Sequence, residues 1–140
     1  MPGRMQVSEI MSSDVVTLIE DETLAHAKSC MDRGRIRHLP VVQDRRLVGL
    51  VTHRDLLAAS FSIFAEVEPA EQRRIFVTIP VAEAMHRDIV TIGPETTVAE
   101  AARILLDNKY GCLPVVDGEG TLLGIVTEAD FLRLTVRLLA

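Results

Sequence analysis

Two stretches of this 140-residue chain are copies of one another. Val7–Leu57 aligns with Val81–Leu132, with an offset of 74 residues up to Val42/Val116 and 75 from Leu47/Leu122 onward. One residue inserted in the turn around Gly118 accounts for the change. Identities recur at Val7/Val81, Glu9/Glu83, Met11/Met85, Asp14/Asp88, Val16/Val90, Thr17/Thr91 and Thr23/Thr97. Leu39-Pro40-Val41-Val42 lies against Leu113-Pro114-Val115-Val116, and Gly49-Leu50-Val51-Thr52 against Gly124-Ile125-Val126-Thr127. A chain written this way must build one unit twice. Two copies are too few and too long for a solenoid, so the expected arrangement pairs the copies about a pseudo-two-fold axis, with the seam as a place for a ligand.

The bulk properties narrow the function classes. A length of 140 residues suits one compact domain or two small halves. With 48% hydrophobic and 25% charged residues the composition is globular, and with only 4% aromatics and no Trp the core must come from Val, Leu, Ile, Ala and Met. A net charge of −5 argues against nucleic-acid binding, which needs a basic face to displace counterions. The longest apolar stretch, Leu56 to Val67, is interrupted by Ser60 and Ser62 and too short for a bilayer, so no membrane association is expected. The N-terminal Met-Pro-Gly-Arg-Met-Gln lacks a signal-peptide core, and Cys30 and Cys112 occupy different repeat positions, so a reducing cytoplasm is the expected location.

Each copy reads as β-α-β-β-α. A short turn carries Met11 or Met85, and the β-branched runs Val15–Leu18 and Ile89–Ile92 suit strands. A helix then begins at Asp21 or Thr23 in the first copy, with Leu24, Ala27 and Met31 at helical spacing and Gly34 as its stop. In the second copy Thr96 or Thr97 caps a helix with Val98, Ala101, Ala102 and Leu105 along one stripe, ending at Asn108. Two hairpins follow, Leu39–Val42 with Leu47–Val51 and Leu113–Val116 with Leu122–Val126, turning at Asp44 and at Asp117-Gly118. Pro40 and Pro114 are expected at strand starts, where a missing N–H costs no ladder bond. His53 and Glu128 open the last helix of each copy. The organisation expected is a first repeat over 7–62, an apolar helical linker over 63–80 and a second repeat over 81–138. Phe61, Ile63, Phe64 and Val67, and the C-terminal Phe131 to Leu139, are apolar enough to read as a subunit interface.

The chemistry concentrates in Gly-x-x-Thr-x-x-Asp, present at Gly49/Thr52/Asp55 and again at Gly124/Thr127/Asp130. A helix N-terminus attracts anions. A carboxylate three residues after the Thr can accept from two neighbouring sugar hydroxyls, so Thr plus Asp reads as a phosphate-and-ribose fixture. The plainer reading is a capping box with no ligand. The copies differ in charge. Arg33, Arg35, Arg37, Arg45, Arg46 and Arg54, with His38 and His53, face one acid, Asp44, whereas the second copy carries Asp107, Asp117, Glu119 and Glu128 against Lys109. His53 and Arg54 directly after Thr52 suit the first copy to a phosphorylated ligand. Arg45 and Arg46 are as well explained as a solvated turn. His26 and Cys30, four apart on a helix, lack a third ligand, so no metal is expected. Cys112 reads as a small buried residue rather than a nucleophile, and no Ser-His-Asp or paired-carboxylate constellation suggests an enzyme.

With the Asp-Val-Val-Thr and Asp-Ile-Val-Thr openings, the Leu-Pro-Val-Val strands and the Gly-x-x-Thr-x-x-Asp endings in the same order twice, about nine-tenths of the chain resembles a CBS-domain pair. The resemblance implies an α/β fold of tandem β-α-β-β-α repeats paired about a pseudo-two-fold axis. It implies clefts between the two repeats for adenosine-containing ligands such as AMP, ADP, ATP or S-adenosylmethionine. Carried over residue by residue, Asp55 and Asp130 would take ribose hydroxyls, and Thr52 and Thr127 phosphate. Val16-Thr17 with Arg37-His38, and Val90-Thr91 with Gly111-Cys112, would take adenine. Such modules regulate an attached enzyme or channel, for which these 140 residues leave no room. The expectation is therefore a stand-alone sensor, a homodimer without a resident cofactor, that signals to a regulated protein not identified by the sequence. The rival is a dimerisation scaffold whose clefts hold no nucleotide.

Overall fold

The computed structural model describes residues 4–64 and 68–140, with side chains for all of these except 60–64. The expected interface residues Phe61, Ile63, Phe64 and Val67 therefore lie outside the described side chains.

The elements follow the expected order in both copies. In the first, α1 (Leu24–Gly34) precedes the hairpin β1 (His38–Gln43) and β2 (Arg46–Thr52), then α2 (His53–Phe64) and α3 (Pro69–Phe76). In the second, α4 (Val98–Asn108) precedes β3 (Cys112–Val116) and β4 (Leu122–Thr127), then α5 (Glu128–Leu139). The Oγ of Thr23 caps α1 by accepting from the His26 N–H, and that of Thr97 caps α4 by accepting from Glu100. Among the described residues no helix is long and apolar enough to cross a membrane.

The first helix of the first copy ends one residue later than glycine chemistry predicts, whereas α4 ends at Asn108 as expected. Gly34 is the last residue of α1, and the left-handed position beyond it belongs to Arg35 (φ 52°), as Lys109 (φ 56°) follows α4. The Arg35 amide closes on the Met31 carbonyl, and that bond offsets a conformation glycine would adopt more cheaply.

The expected strands Val15–Leu18 and Ile89–Ile92 shrink to single parallel bridges, Leu18 with Val41 and Ile92 with Val115. The Leu18 N–H donates to the Pro40 carbonyl and the Val42 N–H to the Leu18 carbonyl, at 2.9 and 2.8 Å. A parallel ladder would place its preceding rung on the N–H of residue 40, which proline lacks. Ile92, flanked by Pro114, repeats the pattern. Both prolines are third in their strands rather than first. Each is opposite a residue, Leu50 or Ile125, whose own N–H and C=O turn away from the hairpin, so the hairpin loses nothing.

Those outward groups meet the opening turn of the other sequence copy. Leu50 exchanges both backbone bonds with His86, and Ile125 with Ser12. The 3-10 turn Val81–Glu83 is tied to the first copy through Val81 N–H to Glu22 O and Ala82 N–H to Glu20 O. The turn Val7–Glu9 is tied to the second through Val7 N–H to Thr96 O and Ser8 N–H to Pro94 O. The chain accordingly separates into two compact units, Val16–Ile89 and Met1–Val15 with Val90–Ala140.

The core of the first unit gathers Leu18, Leu24, Ala27, Met31, Leu39, Val41, Val51, Leu56, Phe76, Val81 and Met85. Phe76 shows what α3 does: it is 3% exposed in the cluster that also holds Leu24, Ala27 and Met31 of α1, and its burial contributes about 1.5–3 kcal/mol. The other unit packs Val7, Ile92, Ala101, Leu105, Leu113, Val115 and Val126. Both hairpins carry a bulge at the matched place, where Val42 pairs with Leu47 and Val116 with Leu122. Their turns differ by the inserted residue. Asp44 and Arg45 make a two-residue turn with both φ positive, whereas Asp117 Oδ1 accepts from Glu119 and Thr121 around a loop with Gly120 at φ 85°.

Candidate functional site

In the unit Val16–Ile89 the predicted residues converge on one end of the hairpin. His38, the first residue of β1, is opposite Thr52, the last of β2. The Arg37 carbonyl accepts from the His53 N–H at 2.8 Å, tying the approach to β1 onto the first residue of α2. Because Leu18 bridges Val41 in parallel, Val16 and Thr17 lead into that bridge level with Leu39 and Pro40, and both are exposed. The other unit repeats this: Cys112 is opposite Thr127, and the exposed Val90 and Thr91 lead into the Ile92 bridge with Gly111 just before β3.

The Thr and Asp of each motif form a capping box. Asp55 Oδ2 accepts from the Thr52 N–H at 2.7 Å and from Thr52 Oγ1 at 2.9 Å, while Thr52 Oγ1 accepts from the Asp55 N–H at 3.2 Å. Asp130 Oδ2 accepts from the Thr127 N–H at 2.8 Å. The plain reading of the motif is thus correct as a description of local structure. Each carboxylate nevertheless keeps a second oxygen outside the box.

That second oxygen has a partner the motif does not contain. Asp55 Oδ1 meets His86 Nε2 at 2.6 Å, and Asp130 Oδ1 accepts from Arg133 at 3.1 Å. Arg133, three residues on in the same helix, was readable from i,i+3 spacing. His86 had no such signal, since 31 residues separate it from Asp55 and only the docked opener brings it there.

The basic residues divide. Arg37, His53 and Arg54 belong to the Thr52 end and are exposed. Arg45 and Arg46 belong to the opposite end of the hairpin, five β1 residues away, or roughly 17 Å. They are a solvated turn and not part of the site. Cys112 is buried, and burial pushes its thiol up to about 12, so it is no nucleophile at ordinary pH. Its place at the head of β3 is that of a small side chain lining the site end. Among the described residues no group of three His, Cys, Asp or Glu could hold a metal ion. His26 Nε2 meets Glu22 at 2.8 Å and the Cys30 thiol at 3.5 Å, a local helix-face cluster.

A duplicated hairpin-and-helix unit, with a Thr/Asp capping box at each strand-to-helix junction, defines a tandem-repeat α/β fold. The CBS domain family matches residues 7–62 and 81–137, and the chain belongs to that family. A CBS domain-containing protein of Dictyostelium discoideum is 34% identical over 137 residues, covering 97% of this chain and 94% of the relative. The inosine-5'-monophosphate dehydrogenase of Korarchaeum cryptofilum is 36% identical over 117 residues, but the chain spans 21% of that enzyme. Among solved structures, CBSX2 in complex with AMP superposes with a TM-score of 0.81 at 28% identity, covering 97% of this chain and 99% of that one. The CBS domain pair of protein MJ0100 in complex with 5'-methylthioadenosine and S-adenosyl-L-methionine gives 0.78 at 25% identity, covering 95% and 97%. The expected α/β tandem CBS architecture is therefore correct.

Proposed function

We propose that this chain is a regulatory module that binds an adenosine-containing ligand at the Thr52/Asp55 and Thr127/Asp130 ends of its hairpins. The observation that carries the reading is the duplicated capping box, which holds a carboxylate at a strand-to-helix junction beside an exposed extended segment in each unit. AMP in CBSX2, and 5'-methylthioadenosine and S-adenosyl-L-methionine in MJ0100, support the adenosyl class. In this reading Asp55 and Asp130 accept the ribose hydroxyls. Val16-Thr17 with Arg37-His38, and Val90-Thr91 with Gly111-Cys112, flank the base. Thr52, His53 and Arg54 meet phosphate, and the acidic Glu128 at the matching place makes the second unit the weaker one for a charged tail. The repeats carrying these sites span 7–62 and 81–138, joined through 63–80.

The competing reading is a scaffold with no nucleotide, and one observation favours it: both oxygens of each motif carboxylate already have partners within the chain. Calorimetric titration with adenosine, AMP and ATP separates the two. The sensor reading expects saturable binding that the double substitution Asp55→Ala, Asp130→Ala abolishes, and affinity that rises from adenosine to ATP and weakens with salt. Each substitution also removes a cap worth about 1 kcal/mol, so the variant's melting curve must show a folded protein at the titration temperature. Unchanged binding in the folded double variant excludes the assignment. No binding by the unmodified chain favours the scaffold.

We further propose a cytoplasmic homodimer that passes ligand occupancy to a separate protein. Its support is the apolar stripe on α5, where Leu132, Val136 and Leu139 are 66%, 68% and 81% exposed. The 75-residue offset places Leu57, Phe61 and Phe64 at the same positions of α2.

A further inference from the structure

The two motif carboxylates are short of acceptor capacity in a way that bears on how a ligand reaches them. An ionised carboxylate offers about four lone-pair positions. Asp55 Oδ2 receives both the N–H and the Oγ of Thr52, at 2.7 and 2.9 Å, and Oδ1 receives His86 at 2.6 Å. Asp130 Oδ2 receives the same two groups of Thr127, at 2.8 and 3.4 Å, and Oδ1 receives Arg133 at 3.1 Å. One position is left on each carboxylate, and a ribose diol that donates through both hydroxyls needs two. The boxes at Thr52 and Thr127 start helices and cannot be given up cheaply. The Oδ1 partners can: the side chains of His86 and Arg133 are 61% and 72% exposed, against 15% and 7% for the carboxylates they hold.

The two partners are not copies of one another. His86 stands where the first copy has Ser12, and Arg133 where it has Ala58. One arrives on the docked opener and the other on the motif's own helix, yet both end on the same oxygen of the same motif residue.

We infer that His86 and Arg133 are latches, each closing one ribose carboxylate and released into solvent when the diol of an adenosine ligand takes its place. The inference rests on the adenosyl reading and adds residues that set affinity without touching the ligand. Because the latches are unlike, the affinity of each unit is tunable on its own by substitutions that leave the Thr/Asp motif intact.

The test is calorimetry with adenosine, which has no phosphate to be attracted by either side chain, on the full chain and on His86→Ala, Arg133→Ala, Asp55→Ala and Asp130→Ala. With His86 and Arg133 themselves largely in solvent, each contact is worth little, so removing a latch should tighten adenosine at its own carboxylate about two- to fivefold. In parallel, the imidazole NMR resonances of His86 should shift on adding adenosine to the unmodified chain and stay unmoved by it in Asp55→Ala. Equal or weaker affinity in a latch variant, with binding still lost in the matching Asp variant, overturns the latch at that carboxylate and leaves the adenosyl reading standing. Binding that survives in the folded Asp variants overturns the reading beneath it.

Discussion

Cys112 and His38 hold the same place in their units, first in the strand and opposite the motif threonine. A partly exposed imidazole in one and a buried thiol in the other give the two hairpin ends different chemistry. Thiolate is the reactive form, and with its thiol pushed up to about 12, Cys112 at pH 8 carries about one part in ten thousand of it. A maleimide at pH 8 should therefore label the half-exposed Cys30 and leave Cys112 unmodified until denaturant is added, as mass spectrometry of the digested protein would show. The sign follows from the direction of the shift. The folded state favours the neutral thiol, so labelling of Cys112 rises, and its contribution to stability falls, as pH climbs from 9 toward 12. Rapid labelling of Cys112 in the native protein at pH 8 would contradict the burial.

Between elements, the exchanged openers are held by methionine on glycine. A Cβ on Gly124 would come within 2.7 Å of both the Met11 sulfur and the Ser12 carbonyl oxygen. A Cβ on Gly49 would meet chiefly the Met85 side chain, with the His86 carbonyl oxygen at 3.3 Å. Side chains yield and backbone does not, so Gly124→Ala should cost about 1–3 kcal/mol and Gly49→Ala less. A double-mutant cycle sharpens the point: trimming Met85 to Ala should recover much of the Gly49→Ala loss, whereas Met11→Ala should leave most of the Gly124→Ala loss in place. Equal losses in urea unfolding, or rescue in both pairs, would show that the backbone contact at Ser12 is not decisive. The glycines of the motif thus serve packing of the opener.

At the scale of the whole chain, the duplicated apolar stripe bears on assembly. Burying a side chain such as Leu132 or Val136 is worth about 1.5–3 kcal/mol, so a few of them on a two-fold interface suffice for a dimer. Val136→Asp would bury an unpaired charge there and should lower the mass measured by light scattering to that of a monomer of 15.4 kDa. An unmodified chain that is already monomeric at micromolar concentration would exclude this assembly.

The repeat, the two hairpins and the Thr/Asp boxes were legible in the sequence, because each depends on residues a few places apart or on a pattern stated twice, while the helix caps were narrowed to Asp21 or Thr23 and Thr96 or Thr97, of which the structure uses Thr23 and Thr97. The residue that truly adopts the left-handed turn, Arg35 rather than Gly34, was not, since a neighbouring backbone bond overrode local preference. Only tertiary structure decided that the openers are exchanged, that Met85 covers Gly49 and Met11 covers Gly124, and that His86 closes on Asp55. Those pairings join residues tens of positions apart. Which of the two copies an opener docks on is set by the path of the chain and the open edges of β2 and β4, and nothing within either repeat distinguishes the two choices.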